Sequence, residues 1–176
     1  EATIIYGAFA NGYFGIKISE VSDMNGDGKS DLLIAAYQAS PLGRTQAGAV
    51  YLLFGRSSWP AIIDLSNITQ SEATIIYGAE PGDYLGSSIS GVSDMNGDAK
   101  SDLLLGAIGA SPLGRIGAGI VYLLFGRSSW PAIIDLSNIT QSEATIIYGA
   151  AANDQLGTSV SGVSDMNGDG KSDLLI

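Results

Sequence analysis

The sequence predicts an all-β fold built from small repeated sheets, and three observations carry that reading. The octapeptide Glu1-Ala2-Thr3-Ile4-Ile5-Tyr6-Gly7-Ala8 returns at Glu72 and at Glu143, a period of 71 residues. Apolar runs are short and punctuated, each about the length of a strand, and no helical stripe of ten or more residues occurs. Twenty-four glycines in 176 residues suit a chain that turns often.

The elements follow in order within one unit. Thr3–Tyr6 is β-branched and aromatic. Phe14–Val21 alternates in part, with Ile16, Ile18 and Val21 set among polar residues. Leu32–Ala36 is continuously apolar. Ala49–Phe54 ends at Gly55, and Ile62–Leu65, after Trp59-Pro60, adds a short outer strand. Four or five antiparallel strands per unit make one twisted sheet. Such a sheet is not stable alone and must stack on its neighbours. A period of this order signals a propeller, solenoid or array. The chain is read as a single array over 1–176, with repeat units 1–71 and 72–142 and a half unit 143–176. Val50–Ala79 recurs without change as Val121–Ala150, which points to recent duplication or to engineering.

Bulk composition narrows the function. Apolar residues make up 45%, enough for a core and against disorder. There is no cysteine and no histidine, which removes disulfides, thiol chemistry, the commonest general base and the commonest transition-metal ligand. The net charge of −10 argues against a nucleic-acid partner. No apolar run reaches the roughly 18–20 residues that span a bilayer. The chain opens at Glu1 without an initiator Met and is expected to be a mature segment or an excised piece.

Half of the acidic residues lie in one nine-residue phrase that occurs three times, from Asp23, Asp94 and Asp165. Side-chain oxygens stand at positions 1, 3, 5 and 9. That spacing wraps a tight loop around a hard cation, and calcium takes six to eight oxygens at about 2.3–2.6 Å. The expected ligands of the first loop are Asp23, Asn25, Asp27 and Asp31 with the carbonyl of Lys29. Those of the second are Asp94, Asn96, Asp98 and Asp102 with Lys100. Those of the third are Asp165, Asn167, Asp169 and Asp173 with Lys171. Up to three Ca2+ per chain are expected. Position 6 favours glycine, supplied by Gly28 and Gly170, whereas Ala99 occupies it in the second loop, so the middle site is expected to be weakest. Magnesium, which keeps several waters, suits the loops less. An EF-hand needs flanking helices and a bidentate Glu at position 12; here position 12 is Ile34, Leu105 or Ile176 between strand-like runs. The bland alternative is an acidic turn that binds nothing.

These residues resemble a family. Phe14-Gly15, the Asp23–Asp31 phrase, Leu32-Leu33-Ile34-Ala35-Ala36, Gly48–Gly55 and Ile63-Asp64-Leu65-Ser66 are together similar to the FG-GAP repeats of integrin-α-type β-propellers, above all the long bacterial versions in surface or secreted proteins. The resemblance covers essentially the whole chain. It departs where Phe-Gly becomes Leu85-Gly86 and Leu156-Gly157, and where Gly-Ala-Pro reads Ala35-Ala36-Tyr37 and Gly106-Ala107-Ile108. It implies β-propeller blades of four antiparallel strands, named A to D outward from the axis, about two and a half blades per chain, with a calcium-binding A–B loop in each. The A–B and C–D loops then share one face of the disc, and the D–A and B–C loops the other.

Differences between the units concentrate in the D–A and B–C loops, on the face where the resembling integrins bind ligand. Loops on a rigid scaffold are where binding usually resides, though such loops also tolerate drift. Phe9, Tyr13, Tyr37, Glu80, Asp83 and Tyr84 are the candidate contacts for a protein or glycan ligand. Trp59 and Trp130 are expected to cover a blade edge rather than to form a sugar platform, and Arg44, Arg56, Arg115 and Arg127 to bridge loops. The function implied is a non-enzymatic, calcium-stabilised adhesion or recognition module, extracellular or on the cell surface. The alternatives are a lectin-like propeller and a repeat scaffold that assembles with itself. Unpaired sheet edges favour a homo-oligomer or the remainder of a longer array.

Overall fold

A computed structural model describes residues 2–176. Thirteen strands form in chain order: β1 (Ile4–Tyr6), β2 (Phe14–Val21), β3 (Asp31–Ala36), β4 (Ala49–Leu53), β5 (Ile62–Asp64), β6 (Ala73–Tyr77), β7 (Leu85–Val92), β8 (Asp102–Ala107), β9 (Ile120–Leu124), β10 (Ile133–Asp135), β11 (Ala144–Tyr148), β12 (Ser161–Val163) and β13 (Asp173–Leu175). The only helical pieces among the described residues are short 3-10 turns. Blade one has the order β6-β4-β3-β2, blade two β11-β9-β8-β7, and β12 with β13 begins a third. All pairs inside a blade are antiparallel. The fold is all-β, in propeller-type blades with the A–B–C–D order that the sequence implies.

The middle strands are apolar throughout because neighbours cover both of their faces. Leu33, Ala35, Val50 and Leu52 point into the layer shared with blade two, and Leu103, Leu105, Tyr122 and Leu124 meet them there. Ile34, Ala36, Ala49, Tyr51 and Leu53 point the other way, under Ile63, Leu65 and the partly buried Ile5 and Phe9. Leu104, Val121 and Leu123 face the third blade. Alternation along each strand thus selects between two apolar layers, not between core and solvent.

One element differs from expectation. Residues 62–65 were expected to add an outer strand to an antiparallel sheet of their own unit. Instead β5 lies parallel to β1, and its counterpart β10 lies parallel to β6 of blade one. The edge of its own blade is filled by the D strand that follows, so the C–D connection reaches back to the D strand of the preceding blade. That gives blade one a fifth strand borrowed from the next unit.

The departures from Phe-Gly leave the loop shape intact. Gly15, Gly86 and Gly157 all have φ near 90°, and each follows a left-handed residue two positions before it: Tyr13, Tyr84 or Gln155. Gly48 is required for a different reason. At φ +86° it lies against the Leu85 backbone, where a Cβ would overlap.

Candidate functional site

Each acidic phrase closes the A–B hairpin of its blade, between β2 and β3, β7 and β8, or β12 and β13. Strands flank all three loops, which excludes an EF-hand. In the first loop Asp23 Oδ1 accepts from the Gly26 and Asp27 amides at 2.7 and 3.0 Å, and Oδ2 from Gly28 at 2.6 Å. Asn25 Oδ1 accepts from Asp27 N and Asp27 Oδ1 from Lys29 N, both at 3.0 Å. Asp31 is buried; its Oδ2 accepts from Met24 N at 2.8 Å and Oδ1 from Gly55 N at 2.7 Å. The last aspartate thus ties the hairpin to the end of strand C. Asp102 repeats both bonds, to Met95 N and Gly126 N. Asp173 keeps the bond from Met166 N.

Electrostatics follow from this wiring. Burial works upward on the Asp23 carboxyl, but the amides of Gly28, Gly26, Asp27 and Asn25 outweigh it and hold the group below the usual range. Asp31 goes the other way: burial pushes it up against the Gly55 and Met24 amides, with the charges of Asp23 and Asp27 adding to the rise. Asp102 behaves as Asp31 does. The loop concentrates like charge on one buried member, which a cation would relieve.

Position 6 is left-handed in every copy: Gly28 at φ 83°, Ala99 at 65° and Gly170 at 84°. Ala99 N still reaches Asp94 Oδ2 at 2.7 Å, so the alanine adopts the glycine conformation at a cost of about 1 kcal/mol. Position 4 is left-handed too, at Gly26, Gly97 and Gly168, a second glycine requirement that the spacing of ligands alone does not reveal.

The donor set in each loop is three carboxylates, an amide oxygen and a carbonyl, all hard oxygens, and suits Ca2+. Each carboxylate oxygen has two lone-pair directions, so one that accepts an amide can also face an ion. Among the described residues no three acidic side chains converge on one point; the carboxylates are turned to backbone amides, and Lys29 Nζ lies 3.4 Å from Asp27 Oδ2.

Trp130 connects this face to the neighbouring blade. It is 4% exposed, and its Nε1–H donates to the carbonyl of Met24, inside the first hairpin loop, at 2.7 Å. Arg127 stacks on the indole 5.2 Å from the ring centre. From there the C–D segment of unit two runs along blade one. Gln70 Nε2 donates to Trp130 O at 3.0 Å, Thr74 Oγ1 to Pro131 O at 2.7 Å, and β10 adds to β6. Arg44 ends the run with a bidentate pair to Asp135, Nη1–Oδ1 at 2.6 Å and Nη2–Oδ2 at 2.7 Å. The guanidinium hydrogen bond, with the Ser137 bonds, holds the Asp135 carboxyl down at about 2 against its partial burial. Residues 130–137 therefore form a latch between blades. The expected loop bridging by arginine is present at all four: Arg44 to Asp135, Arg56 and Arg127 to Glu72 and Glu143, and Arg115 to Gly149 O at 2.8 Å. The partnership of Arg44 with Asp135 was not read from sequence. Its one signal is that Arg44, Asp64 and their copies at Arg115 and Asp135 recur with the unit.

On the opposite face the varied loops meet one another. Gly82, Tyr84 and Leu85 amides donate to the carbonyls of Thr45, Gln46 and Ala47, and Asn153, Gln155 and Leu156 repeat this on Ile116, Gly117 and Ala118. The B–C loop of one blade and the D–A loop of the next are thus direct partners, and their sequences differ between units together. Of the six candidate contacts, Tyr13, Tyr37 and Tyr84 form one aromatic row, with ring centres 5.7 and 6.1 Å apart. Tyr84 Oη donates to Gln46 Oε1 at 3.1 Å. Glu80 is exposed at the rim. Phe9 stands apart, edge-on to Tyr77 at 6.2 Å. Asp83 is buried, accepts from Glu80 N at 2.9 Å, and is pushed up to about 6 by burial; it shapes its turn.

Stacked antiparallel blades with an aspartate-rich A–B hairpin define a propeller-type repeat. The FG-GAP repeat family profile matches residues 19–53, which run from strand A through strand C of blade one. The chain is 32% identical over 186 residues to the phosphatidylinositol-glycan-specific phospholipase D of Dictyostelium discoideum, covering 99% of this chain and 19% of that protein. The human phospholipase of the same name is 33% identical over 88% of this chain and 17% of its own length. Integrin alpha-PS2 of Drosophila melanogaster is 30% identical over 93% of this chain and 11% of its own. The chain spans less than a fifth of the curated relatives it matches. It belongs to the FG-GAP repeat family.

Proposed function

We propose that the chain is a non-enzymatic, calcium-stabilised segment of a β-propeller that serves in extracellular recognition or adhesion. The observation that carries this is the threefold recurrence, on one face, of a hairpin whose five donors per loop are all oxygens. Asp23, Asn25, Asp27, Asp31 and the Lys29 carbonyl, with their counterparts, would hold one Ca2+ per loop. Bound calcium supplies the charge that the clustered carboxylates lack, and so favours the folded hairpin by mass action. Loop two is the weakest holder, because the strained Ala99 lets it open more readily. Millimolar extracellular calcium matches sites of this class. The similarity to integrin alpha chains supports a protein partner and an extracellular setting.

The face away from the hairpins carries the recognition surface: Tyr13, Tyr37 and Tyr84, with Glu80 at the rim. Aromatic rings give contact area at low entropic cost, as interfaces require. The test is capture of the chain by arrays of extracellular matrix proteins and glycans in calcium, comparing wild type with Tyr13→Ala/Tyr84→Ala. Capture that falls at least tenfold in the double variant supports the reading. Capture unchanged by it, or none at all, refutes it. Selective capture by glycans would favour the lectin-like reading.

A further inference from the structure

The seam between blades one and two and the seam between blades two and three have one backbone and two sets of side chains. At each, the D–A loop of the later blade donates three amides to the B–C loop of the earlier one. Counterpart residues are left-handed at both: Gln46 and Gly117 at φ 54° and 63°, Tyr84 and Gln155 at 56° and 53°. What they carry differs. The first seam gathers Tyr37, Gln38, Gln46 and Tyr84, with Tyr13 stacked behind Tyr37. The second has Ile108, Gly109, Gly117 and Gln155 in the places of those four.

The side chains of the first seam are wired to one another. Gln38 Nε2 donates to Tyr37 Oη at 2.9 Å, Gln46 Nε2 to Gln38 Oε1 at 3.4 Å, and Tyr84 Oη to Gln46 Oε1 at 3.1 Å. Two phenols thus bracket two carboxamides. The ring of Tyr37 meets those of Tyr13 and Tyr84 at 61° and 44°. Backbone bonds fix the row from beneath, Gln38 N to Gly12 O at 3.2 Å and Tyr84 N to Gln46 O at 3.1 Å. Each carboxamide spends one N–H and one lone pair inside the row, which leaves one N–H and one lone pair to each. All four side chains are half-buried. No charged group belongs to the row. Glu80 stands exposed at the rim, and Arg44 is committed to Asp135.

We infer that this seam is a subsite for a neutral hexopyranose unit of a glycan. The inference rests on the reading of this face as a recognition surface and names the ligand class. A pyranose presents an apolar C–H face and a rim of hydroxyls that both donate and accept. The phenol rings cover the first, and the carboxamides, each donor and acceptor together, match the second. A row already braced by its own bonds gives up little rotamer freedom on binding. An anionic sugar would meet the Glu80 carboxylate and find Arg44 already paired.

Saturation-transfer NMR on the 176-residue chain in calcium, with lactose, maltose, cellobiose and mannobiose, tests this. At least one of these sugars is expected to receive saturation, strongest on the C–H protons of one ring face. Two variants, Tyr84→Gln and the double change Gln38→Gly/Gln46→Gly, install residues that the second seam carries on the same backbone, so the loops keep their shape. Each is expected to weaken the transfer about tenfold, the worth of one stacked ring or a pair of hydrogen bonds. Trp59→Ala, which removes an indole from the hairpin face, should leave it unchanged. Glucuronic acid should receive none. No transfer to any of the disaccharides, transfer that survives both seam variants, transfer lost with Trp59→Ala, or glucuronic acid served as well as the neutral sugars would overturn the inference. Capture by matrix proteins through Tyr13 and Tyr84 without transfer to any sugar would sink this inference and leave the recognition reading standing; failure of both would end both.

Discussion

The two tryptophans provide an internal control for the latch. Replace each by alanine in turn and measure urea unfolding by far-ultraviolet circular dichroism at concentrations where the chain is monomeric. Sequence around the two sites is identical from Val50 to Ala79 and from Val121 to Ala150, so local propensity cancels. So does the stacked arginine, 5.2 Å from the ring in both cases. What differs is exposure, 42% against 4%. For a side chain of about 250 Å² that is roughly 90 Å² more buried at Trp130, or about 2–2.5 kcal/mol at ~25 cal/mol per Å². The indole bond to Met24 O exists only at Trp130 and adds about 1 kcal/mol. Trp130→Ala is therefore expected to destabilise by about 3 kcal/mol more than Trp59→Ala. Trp130→Phe, which keeps most of the bulk, should lose about 1–2 kcal/mol. Equal losses at the two sites, or a larger loss at Trp59, would refute the latch as the bond between blades.

Three further outcomes follow from the same structure. Ala99→Gly should raise stability by about 1 kcal/mol in chemical denaturation, even with a chelator present, because the left-handed strain belongs to the folded loop itself. Asp135, held at about 2 by Arg44, contributes stability that is present above the ordinary carboxylate value and is lost as pH falls through about 2. Arg44→Met should shrink that acid dependence in urea midpoints measured between about pH 2 and 5, leaving the part that the Ser137 bonds supply. Asp83 has the opposite sign. Its folded value near 6 lies above the unfolded one, so its contribution is full below the ordinary range and is lost as pH rises through about 6. Asp83→Asn should stabilise the chain at pH 7 and change little at pH 4, read from the same midpoints.

Much of the blade was legible because its physics is local. The runs at Phe14–Val21 and Leu32–Ala36 are strands within a residue of where the apolar pattern ends, and the hairpin loops lie where the oxygens repeat. Ala49–Phe54 ends one residue early, at Leu53. The destination of residues 62–65 was not legible. A three-residue strand can pair with any open edge, and which edge is open depends on where the following D strand lands. The Arg44–Asp135 pair was hidden for the same reason, since it spans 91 residues and two blades. At the loop face, variation between units singled out Tyr13, Tyr37 and Tyr84, which do cluster. It also singled out Asp83, whose carboxyl the fold turns inward. Variation marks positions that differ; it does not separate a ligand contact from a loop matched to the loop beside it.

Native mass spectrometry of the chain titrated with calcium addresses the metal reading most directly. Three ions per chain are expected, the last to bind assigned to the Ala99 loop, with Asp31→Asn removing one and leaving two. A chain that holds no calcium at extracellular concentrations, or holds it equally well without Asp31, would contradict it.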